Sequence, residues 1–96
     1  MKLSYVYILK CADETYYTGV SSNLERRLYQ HQCGFFPGCY TFKRRPVELV
    51  FYCDFTDITL AISTEKQIKK WSRSKKEALI EGRYDDLPNL AKKKFK

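Results

Sequence analysis

The sequence predicts a small α+β fold: a three-stranded, mainly antiparallel sheet flanked by about three helices. Three observations predict it. Short runs rich in Tyr, Val and Ile recur between clusters of turn residues, and apolar residues at helical spacing follow Ser, Asn or Asp caps. A chain of 96 residues with 44% hydrophobic and 30% charged residues also suits one globular domain. At that size it buries only roughly 60–65% of its unfolded surface, so its core is modest.

Residues 5–10 and 16–20 form a predicted hairpin, with Ala12, Asp13, Glu14 and Thr15 supplying the turn. In the first strand Tyr5, Tyr7 and Leu9 point one way and Val6 and Ile8 the other. Both faces are therefore apolar, which predicts a strand covered by helices on both sides. Ser22-Asn23-Leu24-Glu25 reads as a capping box opening a helix over about 23–33, and Gly34 offers its stop. The stretch 35–45, with Pro37, Gly38 and Lys43-Arg44-Arg45, reads as a surface loop, and Pro46 opens a third strand from Val47 to Cys53. Asp57 caps a second helix through about Lys70, with Ile58, Ala61, Ile62, Glu65 and Ile68 at helical spacing. Ser72 or Ser74 caps a third that ends near Gly82. Residues 1–82 thus make a single domain and 83–96 a basic tail with a Leu87-Pro88-Asn89 turn.

Eighteen Lys and Arg against eleven acidic residues give a formal charge of +7, which favours anionic partners. No apolar run approaches the length of a spanning helix, and the N-terminus leads into a strand without a signal-peptide core, so a cytoplasmic, membrane-free protein is expected. Cys11, Cys33, Cys39 and Cys53 form no Cys-x-x-Cys pair and read as free thiols; a zinc site on Cys33 and Cys39 is the other reading, short of further ligands.

Some polar residues fall on apolar helix faces. With Leu24 at zero, Leu28 lies at about +40°, His31 at about −20° and Arg27 at about −60°. With Ile58 at zero, Ile62 lies at about +40°, Glu65 at about −20° and Ala61 at about −60°. Burying such groups is costly unless they line a cleft or find partners. Glu65 is expected to coordinate a hard divalent cation or to pair with Arg27 or His31. Strand tyrosines such as Tyr7 and Tyr17 ordinarily pack their rings, and Gly19 suits a place where another backbone approaches closely.

Taken in order, Val6-Tyr7-Ile8, then ten residues on Tyr17-Thr18-Gly19, then Arg27, His31 and a helical Glu65, the chain resembles the GIY-YIG nuclease superfamily over roughly residues 5–70. It looks most like the small stand-alone bacterial members and the catalytic domain of structure-specific repair nucleases. The latter likeness extends through Gly34 and Tyr40-Thr41-Phe42-Lys43-Arg44-Arg45-Pro46. The first motif lacks the glycine that names the family, and the second carries Thr18 where the family has isoleucine.

The resemblance implies a three-stranded sheet flanked by helices and catalytic roles for Tyr7, Tyr17, Arg27, His31 and Glu65. It implies one Mg²⁺ or Mn²⁺ held by Glu65, and a last-segment asparagine matching Asn89. Tyr17 is the expected general base or water-orienting group, with Tyr7 in support and Arg27 helping a phenol to ionise while its fork holds phosphate oxygens. Gly19, Tyr40, Lys43, Arg44, Arg45 and Asn89 are the expected substrate-binding positions, for duplex, branched or single-stranded DNA. An endonuclease, possible in repair or recombination, is favoured over a catalytically silent nucleic-acid-binding domain and over an interaction module dependent on a protein partner.

Overall fold

β-Branched and aromatic residues fill the first strand, and the sheet is assembled around it. The computed structural model describes residues 2–83, and places β1 (Ser4–Lys10) between β2 (Tyr16–Ser21) and β3 (Glu48–Phe55), antiparallel to both. Helix α1 (Leu24–Cys33) follows β2, a 3-10 turn (Phe42–Arg44) precedes β3, and α2 (Ile58–Lys69) and α3 (Arg73–Ile80) close the described chain. The expected fold class is thus the observed one. Asn89 and the tail beyond Arg83 lie outside the described residues.

Period-two alternation gives β1 two buried faces. Val6 and Ile8 join Phe55, Ala61, Ile68, Ala78 and Leu79 in one cluster, under α2 and α3. Tyr7 and Leu9 join Cys11 and Val47 in the other, with Leu24 and Leu28 of α1 packed on it. The four central side chains of β1 are fully buried. Across β3 an irregularity between Ile8 and Leu9 leaves Val50 without a facing partner, and Val50 and Phe51 both pack on the first cluster.

The caps follow the chemistry expected, with one shift. Asn23, not Ser22, starts α1: its Oδ1 accepts the Arg26 amide at 3.1 Å, while Ser21 Oγ accepts the Asn23 amide at 3.1 Å. Asp57 and Ser72 cap α2 and α3. Gly34 ends α1 at φ 74°, a conformation that favours glycine, and a side chain there would strike the Arg45 guanidinium. Helix α3 is tied to the hairpin by Tyr16, whose hydroxyl donates to Glu77, and by Arg73, which pairs with Glu77 and donates to the Glu14 carbonyl.

The stripe expected on α2 is rotated. Ala61, Thr64, Glu65 and Ile68 are buried, whereas Ile58, Leu60 and Ile62 are exposed. The small side chains of Ala61 and Thr64 face inward and let the helix approach the sheet, which the larger isoleucines would hold off. No helix among the described residues is long and apolar enough to cross a membrane. Leu79→Ala should destabilise by about 2–5 kcal/mol in denaturant melts, whereas Ile58→Ala should change stability by about 0.5 kcal/mol or less.

Candidate active site

Tyr7 is fully buried, and a buried phenol needs a partner for its hydroxyl. His31 supplies it: Tyr7 Oη and His31 Nε2 lie 3.0 Å apart. This is possible because Gly19 faces Tyr7 across the β1–β2 ladder, where a Cβ would sit 2.5 Å from the Tyr7 hydroxyl. The close approach expected at Gly19 is therefore made by a side chain, not a backbone. Its glycine shapes the site.

The other ring nitrogen, His31 Nδ1, lies 2.8 Å from Thr41 Oγ1, and Thr41 donates to Cys39 Sγ at 3.5 Å. Burial, helped by the Arg27 charge, holds His31 below its ordinary 6.5, so at neutral pH the ring carries one proton. Because Thr41 spends its proton on Cys39, it accepts from Nδ1–H, and Nε2 then accepts from Tyr7. The hydrogen bonds run in one direction from the central strand to the loop.

Tyr17 packs its ring 5.1 Å from His31, 6.4 Å from Tyr7 and 6.2 Å from Tyr40, which lies stacked beside it. Burial pushes the Tyr17 phenol up to about 12, with Cys39 and Glu65 adding to the rise and Arg27 opposing it. Burial, with Tyr17 adding to it, raises Tyr7 further still, again against Arg27. The sequence led us to expect Arg27 to favour phenolate; desolvation outweighs it, and both tyrosines are phenols at neutral pH. Hydrogen bonds from Thr41 and Tyr17 hold the Cys39 thiol below its ordinary range in spite of its burial.

Glu65 is 7% exposed, and its Oε2 pairs with Lys69 Nζ at 2.8 Å, one helical turn on. The partner is thus neither Arg27 nor His31. Lys69 also lies 6.0 Å from the centre of the Tyr17 ring, linking the carboxylate to the tyrosines. Arg27 stands 5.6 Å from the centre of the Phe36 ring.

Among the described residues no three His, Cys, Asp or Glu side chains cluster to cage a metal, and Cys33 is exposed with its thiol on the Gln30 carbonyl. Both nitrogens of His31 are occupied. A single carboxylate fits a hard cation that completes its shell with water and phosphate oxygens, and does not fit a protein-only cage.

The 35–45 segment is not the plain surface loop expected. Thr41 is buried, and Tyr40 and Cys39 stand against the tyrosines. Arg44 pairs with Asp13 at 3.0 Å, donates to the Tyr40 carbonyl and lies 3.8 Å over the Tyr40 ring. Arg45 donates to the Phe42 carbonyl and stacks on Phe42. Of the three expected basic contacts, only exposed Lys43 has no internal partner among the described residues. Sequence reasoning gave Cys39 only a zinc-ligand reading and gave Thr41 and Lys69 no role of their own; the Glu65–Lys69 spacing of four was the legible signal for the last.

The chain belongs to the GIY-YIG family: residues 3–78 match the GIY-YIG catalytic domain. It is 45% identical over 80 residues to a UPF0213 protein of Syntrophus aciditrophicus, covering 83% of this chain and 92% of the relative. A UPF0213 protein of Natronomonas pharaonis is 49% identical over 77 residues, covering 79% and 88%. The solution NMR structure of a UPF0213 protein from Bacillus halodurans is 39% identical, with TM-score 0.55 and coverage of 82% and 83%. That of an E. faecalis protein is 32% identical, with TM-score 0.61 and coverage of 93% and 94%.

Because the folded pKa of His31 lies below 6.5, the unfolded chain takes up this proton first as pH falls. Its stabilising contribution is full above that value and is lost as pH drops through the folded pKa. Thermal melts between about pH 7.5 and about pH 5 should show Tm falling, and His31→Gln should flatten the slope while lowering Tm at the upper end.

Proposed function

We propose that this protein is a divalent-metal-dependent endonuclease that hydrolyses DNA phosphodiester bonds and selects branched or single-stranded DNA by shape. One observation carries the reading: Tyr7, Tyr17 and His31 pack ring against ring within reach of the Arg27 charge, and a buried carboxylate, Glu65, acts on Tyr17. Gathering a half-exposed guanidinium, a buried carboxylate and three polar rings, two of them buried, in one place serves no simple packing purpose.

The five residues divide the work of phosphodiester hydrolysis. Arg27 neutralises charge on the phosphoryl oxygens, where its planar fork can hold two of them. Tyr17, which burial pushes up to about 12, is a phenol at neutral pH and serves as the group that orients the attacking water or accepts its proton. Tyr7 has its proton committed to His31 and acts as a positioning residue, holding His31 against the Tyr17 ring. Glu65 would hold Mg²⁺ or Mn²⁺, which when bound supplies Lewis-acid polarisation of the phosphate and stabilisation of the leaving oxygen. Specificity comes from DNA shape, because Lys43 and its neighbours offer phosphate contacts that carry little sequence information.

The competing reading is a catalytically silent nucleic-acid-binding domain. It draws on the Lys69 ammonium, which already neutralises Glu65. Labelled duplex, flap, branched and single-stranded DNA incubated with Mg²⁺, Mn²⁺ or EDTA separates the two. Cleavage should need the metal and fall by about 10²–10³-fold in Glu65→Ala and by a similar factor in Tyr17→Phe. Cleavage that survives both substitutions would overturn the site, and DNA binding without cutting would favour the silent domain.

A further inference from the structure

Beside the tyrosines lies a groove of about 340 Å³ lined by Tyr16, Tyr17, Thr18, Tyr40, Lys69 and Lys76. Tyr17 is a wall of this groove and a member of the catalytic cluster at once, so whatever fills it is continuous with the reacting phosphate. Two lysines line it, one from the last turn of α2 and one from the first turn of α3.

Their charges are poorly balanced from within. Glu65 neutralises Lys69, but Glu77 is engaged by Arg73 and Tyr16, and Glu81 by Arg83. Lys76 has no carboxylate partner among the described residues, and its ammonium is held below the ordinary lysine value by burial and then by the Lys69 charge. Both influences are unfavourable, so an anion in the groove relieves them together. Thr18 also lines the groove, but it is 3% exposed and its Oγ1 is turned away from solvent, so the lysines carry the polar character of the site.

We propose that Lys69 and Lys76 form a subsite for a non-scissile backbone phosphate of the substrate strand, next to the phosphate addressed by Tyr17 and Arg27. The subsite rests on the nucleic-acid reading above and adds the path of the strand, which crosses the β2 edge of the sheet at Tyr16–Thr18.

The test is fluorescence anisotropy of a labelled single-stranded 12-mer in EDTA across a NaCl series. It compares the natural protein with Lys76→Gln, which leaves the Glu65–Lys69 pair intact, with the double variant Lys69→Gln/Lys76→Gln, and with Lys66→Gln as a same-helix charge control. Circular dichroism melts check folding of each. The slope of log Kobs against log[NaCl] should shrink by about 0.7 in Lys76→Gln and about 1.4 in the double variant, and by less in Lys66→Gln. Equal slopes in the natural protein and folded Lys76→Gln, equal losses in Lys66→Gln and Lys76→Gln, or no binding at low salt would overturn the subsite. NMR shifts at Thr18 and Lys76 with inorganic phosphate but not with the oligonucleotide would assign the groove to a free anion and overturn it likewise. Cleavage assayed separately in Mg²⁺ keeps the two proposals apart: a changed slope without cleavage removes the nuclease alone, and Glu65-dependent cleavage with unchanged slopes removes the subsite alone.

Discussion

The hydrogen bond between Tyr7 and His31 is the constraint on which the rest of the structure turns. β1 is buried on both faces, so a tyrosine at its centre has no water for its hydroxyl, and a buried unpaired group of this kind costs about 1–3 kcal/mol. Meeting that demand fixes the position of α1, since His31 has to stand over the strand. It fixes the following segment as well, because the second ring nitrogen needs Thr41. Gly19 completes the arrangement by omitting the side chain that would occupy the phenol's place.

The same burial sets the chemistry. Removing water raises both tyrosines and lowers His31, and the nearby Arg27 reduces the first effect and reinforces the second. The cluster is therefore a set of neutral hydrogen-bonding groups with the Arg27 charge beside it. Glu65 stands in an equivalent position with the sign reversed, and Lys69 balances it.

Much of this architecture was legible in the residues. Strand alternation exposed the two buried faces of β1, and Asp57, Ser72 and Gly34 marked helix ends through chemistry that acts within a few residues. His31 and Glu65 were visible as polar groups inside apolar stripes. The rotation of α2 was not, because helical periodicity weighs large apolar residues, whereas close docking on the sheet selected Ala61 and Thr64 and left Ile58 and Ile62 outside. The contacts of Thr41 and Cys39 with His31 were hidden for a different reason: they arise through the course of the 35–45 segment, which has no periodicity to read. Arg44 and Arg45 looked like free cations in the sequence, and only the folded segment shows them engaged with Asp13, Tyr40 and Phe42.

The one-way hydrogen-bond chain from Tyr7 to Cys39 joins the central strand of the sheet to the irregular segment after α1. Its origin lies in the middle of a three-stranded ladder, while its far end lies in a segment held by the Arg44–Asp13 pair, the Arg44 contacts to Tyr40, the Tyr17–Tyr40 stack and buried Thr41. The Tyr7–His31 pair at the buried end of the chain is thus held by the sheet, separately from the segment that carries Thr41 and Cys39.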